Sequence, residues 1–308
     1  MIGLKKKLID RKHKMTKTIL SLLPSATEIC YLLGLEDSLV GVTHECNWPP
    51  QVSTKPQVTS SVIPKNSTPA EIDRIVKTAA SNNTLTQQID LETIRKLQPD
   101  IVLTQDICKV CAVPKGHLSV ALDYLGIDAE VISLDPFSLE DVFCNILTIG
   151  EATDTPEKAQ RITDNLRQTL ADLQIRPPAE RKKVFPLEWA SPPYGAGHWV
   201  PEMIEIAGGI AVGCVKNANS TKFDWQDVAL LEFDTVLFMP CGFGMEQALT
   251  QAEEIQGLAV FANVSEFYVA NAGWYFSRPG PRLIEGIQAL HAVLSGTECD
   301  PQVLKRLK

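Results

Sequence analysis

The chain contains no run of the ~18 consecutive apolar residues that a membrane-crossing helix needs, so no span is expected anywhere in its 308 residues. It lacks the common catalytic signatures as well. There is no Gly-x-Ser-x-Gly elbow, no His-Glu-x-x-His, no Gly-x-Gly-x-x-Gly fingerprint and no phosphate loop ending in Lys-Ser/Thr. Positive charge is in the minority: 29 Lys and Arg against 37 Asp and Glu leave a net charge of -8. That balance argues against nucleic acid or an anionic membrane surface as partner, because both need a basic face. Aromatic residues are scarce at 6%, which makes any cluster of them informative.

The exception to the acidic balance is the beginning, where Lys5, Lys6, Lys7, Arg11, Lys12, Lys14 and Lys17 crowd together. The apolar run that follows, Ile19 to Leu23, stops at Pro24 and is shorter than the 7–15 residues of a signal-peptide core. It reads as a first strand, residues 1–15 as a disordered basic extension, and the location expected is the cytoplasm. The eight cysteines are expected to be reduced thiols, since a chain this long and core-rich needs no disulfide framework.

Short apolar runs alternate with helical periodicity along the chain, which predicts an α/β fold. Strands are expected at 19–23, 39–43, 101–103, 130–134, 184–187, 235–237 and 267–269. Ser25 with Glu28, and Thr68 with Glu71, have the spacing of helix capping boxes. Residues 138–176 keep helical spacing with a break and recap at Thr153 to Pro156, and are expected as one linking helix. Residues 89–103 repeat at 223–237 with a constant offset that matches Asp90 to Asp224 and Asp100 to Asp234. The expected organisation is therefore two Rossmann-like lobes, 16–137 and 177–308, joined by one long helix with a ligand cleft between them.

Ligands of parallel α/β sheets sit off the carboxyl ends of strands. That rule gathers Pro24 and Ser25; Glu45 and Trp48; Asp106; the segment with Trp189, Tyr194, Gly197, His198 and Trp199; Cys241 and Gly242; and Trp274 and Tyr275. Taken singly, each ring is an ordinary core residue. Taken together, with Gly195 and Gly197 allowing close backbone approach, they suit a flat, partly apolar small molecule. His44 and Cys46, with Cys108-x-x-Cys111, also form a candidate zinc set of one imidazole and three thiolates. Three independent thiols are the competing reading. A metal-dependent or redox enzyme using Cys46, Cys108 and Cys111 is the alternative function that this set suggests.

Several segments, in this order, resemble the helical-backbone (class III) periplasmic-binding-protein family, in its corrinoid-carrying branch. They are Leu23-Pro24-Ser25-Ala26-Thr27-Glu28, Trp48-Pro49-Pro50, Pro99-Asp100-Ile101-Val102, Pro192-Pro193-Tyr194, Gly208-Gly209, and Gly273-Trp274-Tyr275-Phe276 with Arg278-Pro279-Gly280-Pro281-Arg282. The resemblance covers about residues 18–295. It implies two lobes on a helical backbone, cobalamin or another corrinoid or tetrapyrrole as ligand, and Trp48, Tyr194 and Trp274 near it. It also implies a possible duty as the substrate-binding component of an ABC importer, docking on a permease through an acidic residue of each lobe. Glu92 fits on the first lobe. Its repeat partner is Gln226, with Asp227 adjacent, and family members are exported whereas no signal peptide is read here.

Overall fold

The computed structural model describes residues 17–64, 67–82, 84–107, 113–174 and 181–307. The expected basic extension, Cys108 and Cys111 lie outside the described residues. The first sheet is parallel and built from β1 (Ile19–Ser21), β2 (Leu39–Val42), β5 (Ile101–Thr104) and β6 (Glu130–Ser133) in the order β2-β1-β5-β6. An antiparallel pair, β3 (Thr59–Ser61) and β4 (Gln87–Ile89), stands beside it. The second sheet runs β10 (Thr221–Lys222), β8 (Pro193–Gly195), β7 (Lys183–Ala190), β11 (Thr235–Phe238), β12 (Glu266–Ala270), β13 (Leu304–Arg306), with β9 (Ile210–Ala211) also on β7. Its parallel centre is β7, β11 and β12.

The internal repeat has a physical basis. Asp100 precedes β5 and accepts from the backbone N–H of Thr18, just before β1, at 2.7 Å. Asp234 precedes β11 and accepts from the N–H of Lys183, at the start of β7, at 2.8 Å. The same residue ties the same two neighbouring strands in each lobe. The bond to Thr18 holds the Asp100 carboxyl below the usual carboxylate range. Asp90 caps α3 (Leu91–Leu97) by accepting from Thr93 N–H at 3.0 Å, whereas Asp224 makes no side-chain cap on α8 (Trp225–Val228).

Two expectations need correction. The capping box at Ser25 and Glu28 does not form. Leu23 is the N-cap of α1 (Pro24–Leu32), Pro24 opens the helix without needing an N–H, and Glu28 falls two residues too deep to reach back. The Thr68 box of α2 (Pro69–Ser81) does form. The stretch 138–176 is not one continuous helix but α5 (Leu139–Ala152) and α6 (Pro156–Gln174) folded back on each other. Pro156 cannot continue a helix from α5, and Asp154 turns the chain in the left-handed region at φ 59°. The hairpin is closed by an Arg167–Glu140 ion pair and by Gly150, where a Cβ would overlap the Cβ of Ala159. The nineteen-residue α6 is the long helix that carries the chain towards the second lobe.

The lobes share a core. Ile29 and Cys30 of α1, Leu33 just after it, Val142, Ile146 and Ile149 of α5, Met203 of α7 (Val200–Ile206), and Ile287 and Leu290 of α11 (Leu283–Leu294) belong to one buried apolar cluster. Glu202 of α7 accepts from the N–H of Leu139 at 3.0 Å, placing an anion at the start of α5. Gly150→Ala should lower unfolding stability by about 1–3 kcal/mol, because overpacking a closed helix pair forces the backbones apart. Urea denaturation checks this, and an unchanged midpoint would show that the hairpin can relax.

Candidate functional site

The site grows from the two ends of the chain. Glu28 leaves α1 towards the second lobe and meets Arg282, the residue that opens α11 after Pro279-Gly280-Pro281. Arg282 Nε donates to Glu28 Oε2 at 2.9 Å and Nη2 to Oε1 at 2.7 Å, a two-bond fork between residues 254 apart in sequence. Both side chains are buried, 7% and 4% exposed, so the pair is shielded from screening by salt. Arg278 stands beside it, its Nη1 3.7 Å from Glu28 Oε1. Its guanidinium donates to Asn47 Oδ1 at 2.7 Å and to the carbonyl of Glu45 at 3.0 Å. The 44–48 turn of the first lobe is thereby held against the 278–282 turn of the second. Gly280 lies on the start of α1, where a Cβ would sit 3.6 Å from Ser25 and Glu28.

Aromatic rings surround this ionic joint. Trp48 and Trp274 face each other across the lobes with ring centroids 5.4 Å apart. The Arg282 guanidinium carbon is 4.8 Å from the Trp48 ring, 4.9 Å from Trp274 and 5.3 Å from Tyr275. Each such cation–π contact is worth about 0.5–2 kcal/mol, more where water is excluded. Burial raises the Tyr275 phenol, helped by Glu285, with Arg282 acting in the opposite direction. The second-lobe wall continues through Phe243, whose carbonyl accepts from Gly273 N–H at 3.2 Å and whose ring meets Trp189 edge-on at 5.5 Å. Cys241 and Gly242 belong to that same turn, with Cys241 N–H donating to the carbonyl of Glu188 at 3.3 Å.

Other expected site residues stand elsewhere. Asp106 accepts from Lys115 N–H at 2.8 Å, capping α4 (Lys115–Leu125), and is not part of the aromatic joint. Trp199 is buried in the shared core and donates its indole N–H to the carbonyl of Phe276 at 2.8 Å, so it is a packing residue. At Gly197 the close backbone approach expected for a ligand is made by the protein itself, since a Cβ there would overlap Ala218 and Ser220. His198 sits at φ 52° with its ring 5.3 Å from Phe137, and burial lowers its pKa. Tyr194 is half-buried on β8. Glu92 is exposed and paired with Lys96 at 2.7 Å.

Of the expected zinc set, Cys108 and Cys111 lie outside the described residues, and only His44 and Cys46 can be placed. Cys46 is a core residue, 4% exposed, with its sulfur 3.1 Å from Thr27 Oγ1. Burial pushes its thiol up to about 12, so at neutral pH the free thiol stays protonated. His44 is turned the other way, its Nδ1 2.7 Å from Thr59 Oγ1 and its Nε2 3.2 Å from Glu45. The hydrogen bond from His44 lowers the Glu45 pKa. No group of three or more His, Cys, Asp or Glu able to hold a metal occurs among the described residues.

A family model described as periplasmic binding protein matches residues 19–265. The chain belongs to the periplasmic binding protein family. The Vitamin B12-binding protein of Vibrio cholerae is 23% identical over 278 residues, 88% of this chain and 86% of that protein. An ABC transporter substrate-binding lipoprotein of Bacillus subtilis is 26% identical over 295 residues, 90% of this chain and 79% of the relative. Among solved structures, a periplasmic haem-binding protein from Pseudomonas aeruginosa superposes with a TM-score of 0.65 at 19% identity, covering 96% of each chain. Family members are substrate-binding proteins, which places this chain with binders rather than enzymes.

For a periplasmic binding protein, the residues that sequence reasoning missed are the ions rather than the rings. Glu28 had the spacing of a cap, and Arg278 and Arg282 were part of a motif without a role. The available signal was two arginines flanking Pro-Gly-Pro directly after an aromatic run, a place where a charge has to find a buried partner. The buried state of the thiols is testable by alkylation. Cys30 and Cys46, both pushed up to about 12 by burial, should stay unlabelled by iodoacetamide at pH 7.5 in the native protein and react in urea, whereas exposed Cys144 labels in both. Native labelling of Cys46 at the rate of Cys144 would contradict its placement.

Proposed function

We propose that the protein binds a corrinoid between its two lobes, as the ligand-carrying component of an import system. The observation that carries this reading is the pair of indoles, Trp48 and Trp274, brought from opposite lobes to the same point at the strand ends. Trp189, half-buried, extends the apolar surface, and flat macrocycles gain most from such ring faces. The extent of the match to a vitamin B12-binding protein supports the same ligand class. Haem is the second reading, favoured by the fold shared with a haem-binding protein.

With the indoles in contact, a macrocycle enters only as Trp48 and Trp274 part, so their fluorescence reports binding. Titration with cyanocobalamin should quench tryptophan emission and shift the visible spectrum of the corrin at micromolar concentration. Trp274→Ala should weaken binding by about 1–3 kcal/mol, the cost of removing one aromatic anchor. Haemin titrated in parallel separates the second reading. No response to either compound sinks the macrocycle assignment, and unchanged affinity in Trp274→Ala returns that ring to a packing role.

A further inference from the structure

The Glu28–Arg282 fork uses two of the three nitrogens of the guanidinium. The third, Nη1, is buried and has no hydrogen-bond partner among the described residues. The Arg282 residue is 6% exposed, so bulk water does not compensate. Tyr275 stands alongside and shares a side-chain hydrogen bond with Arg282, yet Nη1 itself finds no acceptor. The ring faces of Trp48 and Trp274 stabilise the charge but offer no lone pair. Unmet buried donors are rare in native proteins and call for an explanation. This one sits where the aromatic walls of the two lobes converge.

We propose that Arg282 Nη1 reads a neutral carbonyl oxygen, an amide, on the rim of the bound macrocycle. The inference rests on the functional reading above and deepens it by selecting among macrocycles. The selection comes from charge. The guanidinium is already matched by the Glu28 carboxylate in a desolvated setting, and Glu285 adds negative charge nearby. Arg278, the other cation, faces Glu28, Asn47 and the carbonyl of Glu45. What remains at Nη1 is one directional donor, in a cluster whose two guanidiniums face the single carboxylate of Glu28. An amide oxygen accepts that hydrogen bond at no electrostatic cost. A carboxylate would bring a second anion next to Glu28, where low polarity magnifies repulsion. The site therefore discriminates between rings carrying amide side chains and rings carrying free acids.

The test uses one ring with two peripheries: dicyanocobinamide, which carries amides, and dicyanocobyrinic acid, which carries carboxylates. Binding to the full chain is followed by tryptophan quenching, with folding of each variant checked by circular dichroism. Wild type should prefer the amide form by about tenfold or more, a difference of one good hydrogen bond. Arg282→Lys keeps the charge but cannot present Nη1, and should weaken dicyanocobinamide by about tenfold while moving dicyanocobyrinic acid less than about twofold. Glu28→Gln keeps Nη1 and removes the matching anion, so it should shift the ratio about tenfold towards the acid. A ratio that is the same in wild type and in whichever variants fold overturns the assignment of Nη1 while leaving macrocycle binding intact. No binding of either ring by wild type fails the functional reading itself, and this inference with it.

Discussion

The ion pair between Glu28 and Arg282 determines how the two lobes meet. It joins the first helix to the last long one, and the residues of the candidate site are arranged around it. Arg278 is steered onto the 44–48 turn by the same charge cluster, and the two indoles close over it. A buried pair of this kind repays its desolvation only when the geometry is good and the remaining polar atoms are met. Here the fork is well formed, yet one guanidinium nitrogen is left over, and that mismatch is where the proposed recognition of a ligand enters.

The joint does not act alone. Below it, α1, α5, α6, α7 and α11 contribute to a continuous apolar cluster that spans both lobes. A shared core resists large relative motion, since separating it would expose apolar surface at about 25 cal/mol per Å². The helical connection adds stiffness compared with extended hinge strands. For the proposed ligand, these two features favour a small parting of the aromatic walls over a wide opening of the lobes.

Much of the fold was legible because it rests on local rules. The strands at 19–23, 101–103 and 235–237 were visible as short apolar runs, and the constant offset between Asp100 and Asp234 exposed the two-lobe plan. The indoles that face each other were also among those expected from strand-end loops. What stayed hidden depends on contacts distant in sequence. Helical periodicity runs on either side of Thr153 to Pro156 whether the chain continues or folds back, so the α5–α6 hairpin is decided by packing at Gly150. The 189–199 segment looked like the centre of a site, yet Trp199 and Gly197 are consumed by core and backbone packing. Glu28 satisfied the spacing of a cap, and no local pattern assigns a carboxylate to an arginine 254 residues away.

The central claim is that Glu28 and Arg282 form one energetic unit across the lobes. A double-mutant cycle on unfolding free energy, with Glu28→Gln, Arg282→Met and the pair combined, measures that coupling directly. Each single change should cost about 3–5 kcal/mol because it leaves the other partner buried and unmatched. The account predicts that the double variant costs far less than their sum. Strictly additive costs would contradict it, and would mean that the two side chains stabilise their lobes independently.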